Sequence, residues 1–163
     1  MFEEFDASGV DYSVMLTADH GGHDLPERLI QQSTPNAQRV SVSADAITIG
    51  NDITAKMGLA KNPLYQPRFG AGVGDIWIDR NITQKQRKQV MELAVEAYKT
   101  HPQVAAVFTR EQITSTSIAS TPPKTWSLID RVRASHHPDR SGDLYVAMKP
   151  HVTPIARPVP GYV

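Results

Sequence analysis

The chain has 163 residues, carries 17 lysines and arginines against 17 aspartates and glutamates, and contains no cysteine. This length suffices for one folded domain, and the zero net charge gives no overall field for nucleic acid or an anionic membrane. Without cysteine there are no disulfides or thiolate metal sites, so a metal must be held by histidine, aspartate or glutamate. We expect no nucleic-acid partner and no membrane partner.

The start of the chain carries no recognisable export signal. Its first ten residues, MFEEFDASGV, lack the basic beginning and apolar middle of a signal peptide. No apolar run approaches the roughly 20 residues that a membrane span needs.

Short apolar runs separated by helical patterns predict an α/β protein. Strands are predicted over residues 12–18, 74–79, 104–108 and 143–149. The alternating stretch 39–43 is a candidate fifth strand. The glycines of 70–75 precede a strand instead of joining a strand to a helix, so we interpret them as a turn and not as a phosphate-binding loop.

Three helices are predicted between these strands. The first covers 45–57, where apolar residues recur at helical spacing and Gly58 provides a stop. The second follows a capping box formed by Thr83 and Gln86, and its apolar stripe continues to Tyr98. The third covers about 125–134. The proline-rich end of the chain is predicted to be extended coil.

The segment SVMLTADHGGHDLPERL, residues 13–29, places polar groups directly after the first predicted strand. Asp19 and His20 would lie at the C-terminal edge of a sheet, where α/β proteins build their sites. Neighbouring strand residues point to opposite faces, so Gly21 and Gly22 are expected to bend the chain and bring the pair to one site. An aspartate oxygen and an imidazole nitrogen are ordinary zinc ligands.

Two further residues of this segment, His23 and Asp24, are candidates for a weak metal site or for the loop around it. The alternative is a polar turn whose aspartates cap a helix over 25–30 and whose histidines are solvated. Within the PER sequence that follows, we interpret Glu27 and Arg28 as an ion-paired helix start.

The stretch TADHGGHDLPER resembles the metal-binding segment of the alkaline phosphatase superfamily, in the branch of type I phosphodiesterases, nucleotide pyrophosphatases and related bacterial alkaline phosphatases. A strand of that family ends in T-x-D-H-G, which Asp19 and His20 match. The later stretch HPDRSGDLYVAMKP is similar to the family's turn and strand leading back to the active site. The resemblance implies that Asp19 and His20 bind the zinc ion that also holds a catalytic threonine or serine.

The resemblance also implies what the intact enzyme has and this chain lacks. Such enzymes hold two zinc ions and hydrolyse phosphate esters, whereas no counterpart is found here for the nucleophile, the phosphate-binding residues or the remaining ligands. We therefore expect a fragment of an alkaline-phosphatase-like α/β fold, with a mixed sheet and packed helices, and no catalytic residue. The related bacterial enzymes are typically periplasmic or secreted.

The fragment hypothesis predicts three regions. Residues 1–33 would end the catalytic core with the metal-motif strand, 34–140 would form an inserted α/β subdomain, and 141–163 would return toward the core. A catalytic zinc needs about three protein ligands and an open position, so this chain would bind at most one zinc ion weakly and would be inactive alone.

A different class of function remains as the alternative, a stand-alone α/β binding or interaction module without catalysis. In a fragment, the strand predicted over 12–18 would lack its neighbours, and its unpaired edges would favour a homodimer. Other conspicuous groups are interpreted as structural: the cluster of Lys85, Arg87 and Lys88 as a solvated helix face, and His136 and His137 as surface groups on a turn.

Overall fold

The structure is a computed structural model, which describes residues 2–18, 21–22, 24–66 and 74–155. These residues form helices and two groups of strands. The helices are α1 Phe2–Ser8, α2 Pro26–Gln31, α3 Ala46–Met57, α4 Gln84–Thr100, α5 Arg110–Ser115 and α6 Leu128–Ser135. The strands are β1 Gln38–Arg39, β2 Leu64–Tyr65, β3 Gly74–Ile78, β4 Val104–Thr109, β5 Leu144–Met148 and β6 Val152–Thr153. Short 3-10 turns cover Val42–Ala44 and Pro123–Thr125.

The main sheet has the strand order β2-β3-β5-β4, and all its neighbours are antiparallel. In its centre Ile76 of β3 pairs with Leu144 of β5, which pairs with Thr109 of β4. A separate parallel pair joins β1 to β6. The predicted α/β class, with helices and both kinds of strand pairing, is confirmed.

The helices α3 and α4 cover one face of the main sheet, and their ends are those that the sequence predicts. Asp45 caps α3 by accepting the Ile47 N–H, and Gly58 ends the helix in the left-handed conformation at φ 62°. Thr83 and Gln86 form the complete capping box of α4.

The hydrophobic core lies between this helical layer and the sheet. Because successive strand residues alternate between faces, one face of β3 and β5 supplies Ile76, Ile78, Leu144 and Val146 to the core. The helices and flanking strands contribute the remaining buried residues, Ala46, Ile49, Ile53, Leu64, Val90, Ala94, Tyr98, Val104 and Val107.

The two short helices α5 and α6 each begin with a capping box, and neither box was predicted from the sequence. In α5, Thr109 and Gln112 cap each other, and in α6, Ser127 and Asp130 do the same. The third predicted helix, 125–134, corresponds to α6 preceded by a 3-10 turn. The helix α5 was not predicted, because its capping box begins at the last residue of β4 and the apolar run of that strand dominates the local pattern.

The strand predicted over 12–18 is not formed. Those residues have no regular secondary structure, and Met15 and Leu16 are 90% and 97% exposed. An apolar run becomes a strand only when a neighbouring strand pairs with its backbone, and none of the described strands does so. The prediction for 39–43 is also mostly wrong, since β1 ends at Arg39 and a 3-10 turn begins at Val42.

The predicted regions 34–140 and 141–163 share one sheet as far as the structure describes them. The strand β5 lies between β3 and β4, and β6 pairs with β1, so the predicted coil at the end of the chain contains a short strand. The division of the chain into three regions stays a prediction. None of the helices in the described ranges is long and apolar enough to cross a membrane.

Candidate metal-binding segment

Three of the predicted site residues, Asp19, His20 and His23, lie outside the described residues. The structure describes the residues around them, which are Gly21, Gly22 and Asp24 of the loop. What the structure shows of this segment is the exposed stretch before Asp19 and the helix α2 after Asp24.

Asp24 is already engaged in the structure. Its Oδ1 accepts the Leu25 N–H at 2.9 Å and forms an ion pair with Arg28 at 3.0 Å. The residue at the N-cap of α2 is Leu25, which makes no side-chain cap, and Pro26 begins the helix. The expected capping of this helix by an aspartate is thus replaced by an Asp24–Arg28 pair across its first turn. A metal would have to compete with Arg28 for this carboxylate.

Gly21 and Gly22 have open space around them. A Cβ built on either would have no heavy atom within 4 Å. The bend expected at these two glycines stays a prediction, because it would bring together Asp19 and His20, which lie outside the described residues. Both are exposed, so they leave space around the loop.

The helix α2 is held against the β1–β6 pair by a second ion pair. Glu27 receives two hydrogen bonds from the guanidinium of Arg39, at 2.7 and 3.1 Å. These hydrogen bonds lower the pKa of Glu27 below its ordinary value. Together with the pair of Arg28 and Asp24, they confirm the predicted ion-paired helix start.

The backbone of Arg39 is held in turn by Gln103, a buried residue at the start of β4. The Gln103 amide donates to the Arg39 carbonyl at 2.9 Å and to Gln38 Oε1 at 2.7 Å, and its oxygen accepts the Ser41 N–H at 2.7 Å. Hydrogen bonds therefore link α2 to β1 through Glu27 and Arg39, and β1 to the main sheet through Gln103. A glutamine between a proline and a strand has no distinctive pattern, so the sequence does not predict this role of Gln103.

The described histidines lie apart from this segment. His101 accepts the Gln103 N–H at Nδ1, which leaves the Nε2 proton to donate to Ser43 Oγ at 2.9 Å. The Nε2 atom of His136 is buried and has no hydrogen-bond partner among the described residues. The prediction of a surface group holds only in part for His136, because the residue is half-buried and its Nε2 is shielded from solvent.

The basic cluster at the start of α4 is also more than a solvated face. Arg87 donates to the Ile78 carbonyl at 2.9 Å and to Asp143 at 3.1 Å, and Asp143 accepts the Ile78 N–H at 2.8 Å. Arg110 donates to the carbonyls of Pro138 and Ser141. These contacts fix the end of β3 and the turn before β5, so the prediction for Arg87 is corrected.

The described residues contain no group of three or more histidine, aspartate and glutamate side chains placed to hold a metal ion. Asp19 and His20 have donor chemistry that suits zinc, but two donors are one short of the usual minimum. Within the described ranges, therefore, nothing completes a metal site.

The chain is similar to two bacterial proteins along nearly its whole length. It is 43% identical over 155 residues to alkaline phosphatase PhoK of Sphingomonas sp. It is 41% identical over 156 residues to alkaline phosphatase PhoD of Zymomonas mobilis subsp. mobilis. No protein-family model matches the chain.

Each of these alignments covers 94% of this chain but only 27% of the relative. The chain thus spans about a quarter of the length of the proteins that it matches.

Proposed function

We propose that this chain is part of a metal-dependent phosphatase that hydrolyses phosphate esters. The observation that carries the proposal is the similarity to two alkaline phosphatases at 43% and 41% identity over 94% of the chain. The active-site nucleophile, a threonine or serine, would lie in the part of the longer protein that this chain does not include. A phosphodiesterase or nucleotide pyrophosphatase activity is a finer version of the same proposal.

In this proposal Asp19 and His20 supply two of the ligands of one zinc ion, and the longer protein supplies the others and a second zinc. Bound zinc would stabilise negative charge on the phosphate ester during hydrolysis. The contribution of the described residues is to hold the loop. The pairs Asp24–Arg28 and Glu27–Arg39 fix the helix that follows it.

The exposed stretch before Asp19 supports the proposal of a longer protein. Met15 and Leu16 are almost fully exposed, and Val14 is 60% exposed. Contiguous exposed apolar residues indicate a surface that another part of a protein covers. In the longer protein these residues would form a strand, and its neighbouring strands would come from outside this chain. Asp19 would follow this strand at the edge of the sheet. The periplasmic or secreted location belongs to the same proposal.

Zinc titration by calorimetry tests the role of this chain. We expect the chain alone to bind at most one zinc ion weakly and to show no turnover of p-nitrophenyl phosphate. In a longer protein with sequence on both sides of this chain, Asp19→Ala/His20→Ala should remove one zinc equivalent and lower kcat by at least about 100-fold.

A matched control for this experiment is Asp52→Ala/His151→Ala, which removes the same two side-chain types from exposed positions outside both segments that resemble the family. It should keep both zinc content and kcat. Full activity of the longer protein after Asp19→Ala/His20→Ala would contradict the proposal. Turnover by the present chain alone would show that its site is complete.

One observation favours the alternative, an α/β binding module without catalysis. The main core lies between residues Ala46 and Met148, so the face of the sheet under α3 and α4 is covered without a further segment. A longer protein that folds but hydrolyses no phosphate ester, with or without added zinc, would support this alternative over the phosphatase.

A further inference from the structure

The second face of the main sheet carries a groove of about 610 Å³, and none of the residues discussed for metal binding lines it. Its floor is formed by the residues of β4 and β5 that point away from the core, and Leu128 of α6 forms one wall. The turn between β5 and β6 forms the other wall. This volume is within the range of sites for small organic ligands.

The floor of the groove is apolar and contains small side chains. Tyr145 and Ala147 alternate with the core residues of β5, so they face the groove. Beside them, Ala105 lies where the register between β4 and β5 shifts, between Val104 and Ala106. Such irregularities in a sheet often occur next to binding sites. The two alanines leave room above the strands that larger residues would fill.

One rim of the groove is polar and basic. It carries Lys149, which forms no ion pair with the described residues, and His151. His151 has a φ of 64°, a left-handed conformation that is uncommon for a residue other than glycine. The hydroxyl of Tyr145 likewise has no hydrogen-bond partner in the described ranges. No aspartate or glutamate is among the described lining residues. The nearest described carboxylate to the floor is that of Asp75, which pairs with Tyr145 across the sheet and accepts the Gly142 N–H.

We propose that this groove binds a small organic anion, with an aromatic or branched aliphatic body on Ala105, Tyr145 and Ala147 and its acidic group toward Lys149 and His151. The apolar floor provides the burial energy for the body. The positive charge of Lys149 at the rim favours an anion over a neutral or cationic analogue. The site is independent of the proposed phosphatase chemistry, because it requires no metal and none of the predicted ligands.

Naphthalene-2-sulfonate is a suitable probe, because it has both halves of the proposed ligand and is not a phosphate ester. We expect calorimetry on the full chain to detect its binding, and 2-naphthol and sulfate, which each have one half, to bind at least about tenfold more weakly. Amide shifts in NMR spectra should map to Ala105, Tyr145, Ala147 and Lys149.

Variants test the two halves of the site separately. Lys149→Gln should weaken binding about threefold, as expected for loss of an exposed charge. His151→Gln should weaken binding by a similar factor through the loss of the imidazole. Ala105→Phe should weaken it by about tenfold or more by occupying the groove, and since Ala105 is exposed the protein should stay folded. Lys56→Gln, which removes an exposed lysine from α3 on the other face of the sheet, should leave the affinity unchanged.

The exposed apolar stretch before Asp19 is the main competing surface for such a probe. Met15→Ser/Leu16→Ser should therefore keep full affinity for naphthalene-2-sulfonate. The proposal is overturned if that variant abolishes binding, if the amide shifts map to 10–16, or if Ala105→Phe binds as tightly as the unchanged chain. Equal affinity for 2-naphthol would overturn the role of Lys149 and His151.

Discussion

At the residue scale, the tightest steric constraint in the described part of the chain concerns two glycines. A Cβ on Gly142 would lie 2.6 Å from both the backbone nitrogen and the backbone oxygen of Ile76. A Cβ on Gly50 would lie 1.9 Å from Asn62 Oδ1, a side-chain atom. Backbone atoms in a sheet cannot move aside as a side chain can, so Gly142 is the stricter requirement.

We predict that Gly142→Ala destabilises the protein by about 1–3 kcal/mol, because it forces β3 away from the turn before β5. The displacement would also weaken the hydrogen bond from the Gly142 N–H to Asp75, which is 2.7 Å long. Urea denaturation followed by circular dichroism measures this change.

Gly22→Ala is the matched control for this variant, because a Cβ there would contact nothing within 4 Å. Its free energy of unfolding should stay within about 0.5 kcal/mol of the unchanged chain. Equal stability of Gly142→Ala and Gly22→Ala would show that β3 and the turn are not in close contact.

At the scale of secondary-structure elements, the parallel pair β1–β6 has only two residues in each strand, so its own ladder stabilises it little. Its connection to the main sheet depends on the Gln103 amide, which makes three hydrogen bonds to residues 38–41. The carbonyl of Gln103 also accepts the Lys149 N–H after β5. Gln103 therefore joins the strand pair to both β4 and β5.

Gln103→Ala should cost about 1–3 kcal/mol, because it leaves the Ser41 N–H and the Arg39 carbonyl without their partner in a largely buried place. Hydrogen exchange should become faster at the amides of Gln38 and Val40, which donate to β6 or the turn before it. The helix α4 should keep its protection.

Gln89→Ala provides the comparison, since Gln89 is an exposed residue of α4. It should change neither the stability nor the exchange rates near β1. If Gln103→Ala left exchange in residues 38–41 unchanged, the β1–β6 pair would have to be held by other contacts.

At the scale of the whole molecule, two partly buried histidines connect stability to pH. Burial lowers the pKa of His101 below its ordinary value of 6.5, and burial followed by the nearby Arg110 does the same for His136. Below pH 6.5 the unfolded chain therefore binds more protons than the folded one. The stability from these two groups is complete above pH 6.5 and decreases as the pH falls.

We predict that the free energy of unfolding is lower at pH 5.5 than at pH 7.5, by less than about 1.4 kcal/mol per pH unit for each histidine. Urea titrations at the two pH values measure the difference. His101→Gln/His136→Gln should reduce it, because glutamine does not take up a proton on unfolding. A double variant with an undiminished difference would assign the effect to other groups. The lowered pKa values of Glu27 and Asp79 act only at more acidic pH.

The agreement between sequence and structure differs between these scales. The helices α3 and α4 were predicted together with the Gly58 stop and the Thr83–Gln86 box, because these signals act within a few residues of the helix ends. The candidate metal site could be predicted only as a motif. Of its residues, Asp24 pairs with Arg28, whereas Asp19, His20 and His23 lie outside the described residues.

The sequence by itself determined the ends of α3 and α4, the α/β class and the apolar runs of β3, β4 and β5, because these depend on local hydrogen bonding and on the period of apolar residues. Tertiary structure alone decided that 12–18 stays exposed while 144–148 becomes a central strand. It also buried Gln103 and placed Arg87 and His136 in half-buried positions. Strand formation and burial depend on partners distant in sequence, which no local pattern specifies.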